Sequence, residues 1–211
     1  MRHACRDPRI AVLDRPASTS GSSRNRLPVY GMIHQAAREL AVSHIGEAEW
    51  DRFCKTHGIV GAQFLGFEYY DDAITLRLID LVADRLGLER DVALVEFGRT
   101  WIRFASKSAF GRVLSLAGND LETFLDNLDR MHASIKSNMP QAEMPSFQIL
   151  EARPDAIRLL YRSSRIGLAP FVAGILAEVA LRFGERISVT HAPSDLGVEF
   201  TLSRMLAHAR L

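Results

Sequence analysis

The spacing of apolar residues divides the chain into a helical first part and a mixed second part. Tyr30 to Val42 carries apolar residues at 33, 36, 37, 40 and 41, the stripe of an amphipathic helix. Glu47 to Thr56 reads as a short helix with Trp50 and Phe53 on one side, and Gly58 and Gly61 punctuate the connection after it. Asp71 and Asp72 precede a stripe of Ile74, Leu76, Leu78, Ile79, Leu81, Val82 and Leu86, with Gly87 as its stop. The acidic pair is read as a favourable N-terminal charge on that helix, not as a catalytic dyad. Asp91 to Phe104 is a further helix bearing Val92, Val95, Phe97, Trp101 and Phe104, and Gly111 to Ala117 is short and apolar. Asn119 to Ser137 is read as one long helix with a single apolar face.

After Pro140 the period changes. Ser146–Glu151 and Ala156–Arg162 alternate like strands about a turn at Arg153–Pro154–Asp155. Leu168 to Phe183 is an apolar helix ending before Gly184. Glu185–His191 and Gly197–Ser203 alternate again, joined by Ala192–Pro193–Ser194–Asp195. Helices followed by strands, a helix and strands predict an α+β fold with an antiparallel sheet.

Composition narrows the field without naming a function. The 211 residues are 47% hydrophobic and 24% charged, with a net charge of +1. That length buries a core without disulfides, and two cysteines make neither a disulfide framework nor a four-cysteine zinc site. Near-neutral charge argues against a nucleic-acid partner. No apolar run reaches the roughly 18 residues a bilayer span needs, so no membrane insertion is expected. Residues 1–28 stand apart, with six arginines against two aspartates, three prolines and a Ser/Thr/Gly cluster. They read as a disordered basic extension, or as upstream sequence preceding a true start near Val29. Residues 29–211 then form a single domain, expected to be cytoplasmic.

One polar residue sits on an apolar stripe. His132 lies four residues after Leu128 and seven after Leu125, so it projects from the greasy face of its helix. A buried neutral imidazole needs a partner for its acceptor nitrogen, which a backbone group, a side chain or a metal can supply. Tyr161, Ser163 and Arg165 alternate in LLYRSSR, so an extended segment would put two hydroxyls and a guanidinium on one face. Such donors suit a doubly anionic ligand, and they suit an ordinary polar strand edge as well.

Together these residues resemble a known family, the haem nitric oxide/oxygen-binding (H-NOX, or HNOB) domains found also in soluble guanylate cyclase. VYGMIHQA at 29–36 resembles the family's start, and FLDNLDRMH at 124–132 resembles the segment that ends in the axial haem ligand. MPSF at 144–147 and Tyr161, Ser163 and Arg165 match the family's later segments. The resemblance spans about residues 29–203. It implies a helical N-terminal lobe and a C-terminal lobe with an antiparallel sheet, holding haem b (iron protoporphyrin IX) between them. It implies His132 as the iron's axial ligand, Tyr161, Ser163 and Arg165 on the propionates, Pro145 against the ring, and Leu128 and Met131 as apolar contacts.

The same resemblance places Phe171 in the distal gas pocket, with Pro170 as the one-residue alternative register, and adds Trp101, Met32 and Ile33. Neither Phe171 nor Pro170 donates a hydrogen bond, so nitric oxide and carbon monoxide are the expected ligands and oxygen a poor one. The implied role is a sensor rather than an enzyme. The implied type is a stand-alone bacterial domain, expected to be a monomer, that signals by movement of haem and the His132 helix. Its implied partner is a separate protein such as a histidine kinase or a cyclic-di-GMP enzyme. Two other readings stand beside it, a haem enzyme acting on nitric oxide or peroxide and a haem-free ligand- or protein-binding module. Zinc motifs, phosphate-binding glycine loops and a nucleophile elbow are absent, and Cys54 is read as a packing residue.

Overall fold

A computed structural model describes residues 28–56 and 69–205. Residues 1–27, the glycine-punctuated connection within 57–68 and the last six residues lie outside the described residues, so the basic extension does too. The predicted boundary at residue 28 falls on the first residue of a short strand, β1 (Pro28–Tyr30). This strand pairs antiparallel with β2 (Tyr69–Asp71), and neither was evident from the apolar pattern. Three residues are too few to show a period of two.

The helices α1 (Gly31–Ile45), α2 (Glu47–Thr56), α3 (Asp72–Leu86) and α4 (Arg90–Lys107) build the first lobe. Their stripes meet in a core around Trp50, Leu78, Ile79, Leu94 and Phe97. Asp72 opens α3, and Gly87 ends it in the left-handed region at φ 61°. On α4 the buried stripe runs through Ala93, Leu94 and Phe97, and Val92 is exposed, contrary to the sequence expectation. Cys54 is buried in this core, and burial pushes its thiol pKa up.

The second lobe carries α5 (Gly111–Leu116), α6 (Leu121–Asp126), α7 (Leu128–Asn138), β3 (Ser146–Ala152), β4 (Ala156–Arg162), α8 (Ala169–Arg182), β5 (Ile187–Ser194) and β6 (Gly197–Arg204). The four strands form one antiparallel sheet in the order β3-β4-β6-β5. The last hairpin turns at Asp195–Leu196, two residues beyond the centre of the expected turn, because β5 pairs all the way to Ser194↔Gly197. Ile157, Leu159, Phe200, Leu202 and Leu176 fill the core between sheet and helices.

The single helix expected over 119–137 is two. Asp120 caps α6, its carboxylate accepting from the Thr123 amide at 2.8 Å and from the Thr123 hydroxyl at 2.8 Å. At Asn127 the chain bends (φ −89°, ψ 0°), and the Asn127 amide side chain donates to the Ala117 carbonyl at 2.9 Å. The apolar pattern carries through the bend, so periodicity alone could not reveal it.

α4 belongs to both lobes. Its first half packs in one core, while Ile102 and Ala105 pack in the other. It crosses α8 with the two backbones in contact. A Cβ on Gly98 would lie 2.0 Å from the Phe171 carbonyl oxygen, and one on Gly174 would lie 2.0 Å from the Val95 carbonyl oxygen. Backbone cannot retreat as a side-chain tip can. Gly174→Ala is therefore expected to cost about 1–3 kcal/mol, measured as a lower urea midpoint at unchanged slope; an unchanged midpoint would show that the crossing has slack.

Candidate functional site

A cavity of about 290 Å³ lies where the two cores meet. Met32 and Ile33 of α1, Thr75 of α3 and Phe97 and Trp101 of α4 form the wall from the first lobe. Leu128, Met131 and His132 of α7, Pro145, Tyr161 of β4 and Phe171 of α8 line it from the second. Ser163 and Arg165 complete the lining. His132, Tyr161, Ser163, Arg165, Pro145, Leu128, Met131, Phe171, Trp101, Met32 and Ile33 thus border one space. Of the two candidate registers on α8, Phe171 lines the cavity and also makes a tilted ring contact with Phe97, centroids 4.8 Å apart. Pro170 is buried and does not line it.

His132 is held by geometry the sequence did not disclose. Its Nδ1 lies 3.1 Å from the Pro145 carbonyl oxygen. A carbonyl only accepts, so Nδ1 carries the proton and donates it. Burial holds the imidazole pKa below its ordinary value, while the Pro145 bond and Asp129 push it up. The neutral ring therefore keeps a lone pair on Nε2, the nitrogen left for the cavity. Phe147 packs beside the ring at 5.8 Å and continues to Tyr161 at 5.2 Å.

α7 has few anchors. Leu128 is its one buried residue. Half-buried Met131 packs against the same core, and the polar ties are the His132–Pro145 bond and Asp129, whose carboxylate accepts from the Ser146 hydroxyl at 2.8 Å and the Phe147 amide at 2.7 Å. Pro145, Ser146 and Phe147 are consecutive, so one short segment holds the helix twice.

Tyr161 is buried within β4, paired with Phe147 on one side and Val198 on the other. Ser163 and Arg165 lie beyond the end of β4, so strand alternation does not place them as the sequence suggested. A turn does it instead: the Ser163 hydroxyl oxygen accepts from the Arg165 amide at 3.0 Å. The guanidinium donates through Nη1 to the Glu143 carbonyl at 2.9 Å. Burial pushes the Tyr161 pKa up, with Ser163 and Arg165 opposing, so the phenol is a neutral donor at physiological pH.

Thr75 escaped the sequence reading. It lies three residues before Leu78 and seven before Val82, on the buried stripe of α3, the same kind of signal that marked His132.

A small-ligand cavity between a helical lobe and a lobe with an antiparallel sheet, with one imidazole and one guanidinium on its wall, defines a class of ligand-binding domain. The comparisons assign the family. Residues 30–191 match the Haem-NO-binding (HNOB) family, and the chain belongs to that family of haem-binding gas-sensor domains. It is 30% identical over 157 residues to soluble guanylate cyclase gcy-35 of Caenorhabditis elegans, covering 73% of this chain and 23% of the relative. It is 24% identical over 155 residues to soluble guanylate cyclase 89Db of Drosophila melanogaster, covering 74% and 23%. The chain spans about a quarter of the length of these curated relatives.

Among solved structures, the H-NOX protein of S. oneidensis in its Fe(II)NO state superposes with a TM-score of 0.74 at 16% identity, covering 84% of this chain and 99% of that one. An oxygen-binding H-NOX domain in its oxygen complex gives 0.66 at 22% identity, covering 83% and 95%. The fold is the H-NOX fold, α+β. Among the described residues no helix is long and apolar enough to cross a membrane.

If Asp129 and Pro145 together hold α7, Asp129→Asn should loosen the helix and leave the sheet intact. The expected result is faster amide exchange in 128–138 with unchanged protection in β4 and β6, and a stability loss of about 1–3 kcal/mol. Unchanged exchange in α7 would show that Leu128 and His132 suffice.

Proposed function

We propose that the cavity binds haem b and that the domain is a sensor of nitric oxide, also taking carbon monoxide. The observation that carries this reading is His132: a neutral imidazole with Nδ1–H committed to a backbone carbonyl and Nε2 left to a mostly apolar cavity. Metal-bound histidines characteristically donate their other ring nitrogen in this way, which fixes tautomer and ring orientation. The rest of the lining fits the same group. The apolar walls suit a porphyrin, and Arg165, Ser163 and Tyr161 offer a cation and two hydroxyls to its two carboxylates.

When bound, haem would supply an iron able to take a diatomic gas. His132 would hold that iron from α7, and Pro145 orients the imidazole and lines the same cavity. Phe171 lines it without a donor, which favours nitric oxide and carbon monoxide over oxygen, whose bound form needs a hydrogen bond more. A change in the pull on Nε2 acts on α7, a helix with one buried residue, Leu128. Its displacement from β3 and α6 is the signal, a two-state change biased by the gas. A separate signalling protein, such as a histidine kinase or a cyclic-di-GMP enzyme, receives it. The domain is a sensor and carries out no catalysis itself.

Absorption spectroscopy of the haem-reconstituted protein tests this. A ferrous Soret band that shifts with carbon monoxide and with nitric oxide, but forms no stable oxygen complex in air, is expected. His132→Gly should lose haem unless imidazole is added. Arg165→Ala should speed haem loss about ten- to a hundredfold, the worth of one charge-assisted hydrogen bond. Absence of a Soret band after reconstitution, or normal haem retention by His132→Gly without imidazole, would overturn the reading.

A further inference from the structure

The wall facing His132 holds a polar group that the proposed function leaves unused. Thr75 is 5% exposed, lines the cavity, and its hydroxyl oxygen is buried with no hydrogen-bond partner. A threonine in a helix commonly donates to the carbonyl one turn back, and this one does not. An unsatisfied buried hydroxyl is a net cost to folding, so its place on the wall calls for an acceptor inside the cavity.

The position of Thr75 limits what that acceptor is. If His132 holds the iron from α7, the lining residues of other elements, Thr75 of α3 and Phe171 of α8 among them, are those that can face the bound gas. Thr75 is on α3 of the first lobe, beside Leu76 and on a wall shared with the apolar Met32, Ile33 and Phe97. A porphyrin offers acceptors only at its carboxylates. Those belong with half-buried Ser163 and Arg165, next to the exposed Glu143. Thr75 is far more buried than that polar end, which leaves the diatomic ligand as the acceptor.

We propose that the Thr75 hydroxyl donates a hydrogen bond to the diatomic ligand bound opposite His132 and sets how far the pocket discriminates against oxygen. This rests on the reading that haem occupies the cavity. Phe171 denies the ligand a donor from α8, and Thr75 supplies one from α3. Oxygen gains more from this hydroxyl than carbon monoxide does, since bound oxygen carries more negative charge.

The test compares wild type, Thr75→Val and Thr75→Ser as haem-reconstituted ferrous carbon monoxide complexes, read by the C–O stretching frequency. Valine keeps the shape and removes the unsatisfied hydroxyl, so the fold is expected to hold; thermal melting of the haem-free proteins checks this. Donation to the ligand lowers the C–O frequency. Thr75→Val should therefore shift it upward, and Thr75→Ser should restore it. Oxygen binding relative to carbon monoxide should fall about two- to tenfold in Thr75→Val, the worth of one neutral hydrogen bond.

A wild-type Soret band with an unmoved C–O stretch in Thr75→Val would overturn the Thr75 proposal alone. So would a change in haem retention without a change in the stretch. No Soret band in the wild type would overturn the haem reading itself.

Discussion

The hydrogen bond from His132 Nδ1 to the Pro145 carbonyl is the constraint on which the site depends. It sets the tautomer, so Nε2 keeps its lone pair. It sets the ring plane, so that lone pair is directed rather than free to rotate. It also joins α7 to the segment that opens β3, and Asp129 reinforces the same junction through Ser146 and Phe147. Burial keeps the imidazole neutral against the opposing pull of Asp129 and the carbonyl. A ring without this partner would have to choose between exposure and an unsatisfied nitrogen.

The rest of the fold surrounds that junction with parts of unequal firmness. α4 and α8 cross with backbones in contact at Gly98 and Gly174, and α4 contributes to both cores. This crossing is the stiff element between lobes. α7 is the opposite: one buried residue, a bend at Asn127 before it, and polar ties to a single short segment. A perturbation delivered at Nε2 therefore meets least resistance along α7, while the sheet and the crossing stay fixed. Local stability differs within a domain in this way, and switching elements come from its weaker end.

Much of this was legible in the sequence because it depends on period and on residue type. The stripes on α1 to α4, the strand alternation after Pro140 and the polar intruder His132 all follow from side chains sorting by polarity. The helix bend at Asn127 was not legible, because the apolar face continues across it. The β1–β2 pair was too short to show a pattern, and the last turn was misplaced because Pro193 and Ser194 remain paired in β5. Tyr161, Ser163 and Arg165 do border one cavity, but a hydroxyl-stabilised turn brings them there, not a continuing strand. The Pro145 carbonyl could not be foreseen at all: every residue has a carbonyl, and only the path of the chain decides which one meets the imidazole. Thr75 carried the same signal as His132, a polar side chain on a buried stripe, and was overlooked because threonine is milder.

The central claim is that His132 Nε2 bonds haem iron in this cavity. Low-frequency resonance Raman spectroscopy of the ferrous, gas-free, haem-reconstituted protein tests it most directly. An iron–nitrogen stretch that shifts when histidine is labelled with heavy nitrogen, and that disappears in His132→Gly, is the predicted result. A stretch that survives in His132→Gly without added imidazole, or that ignores the label, would contradict it.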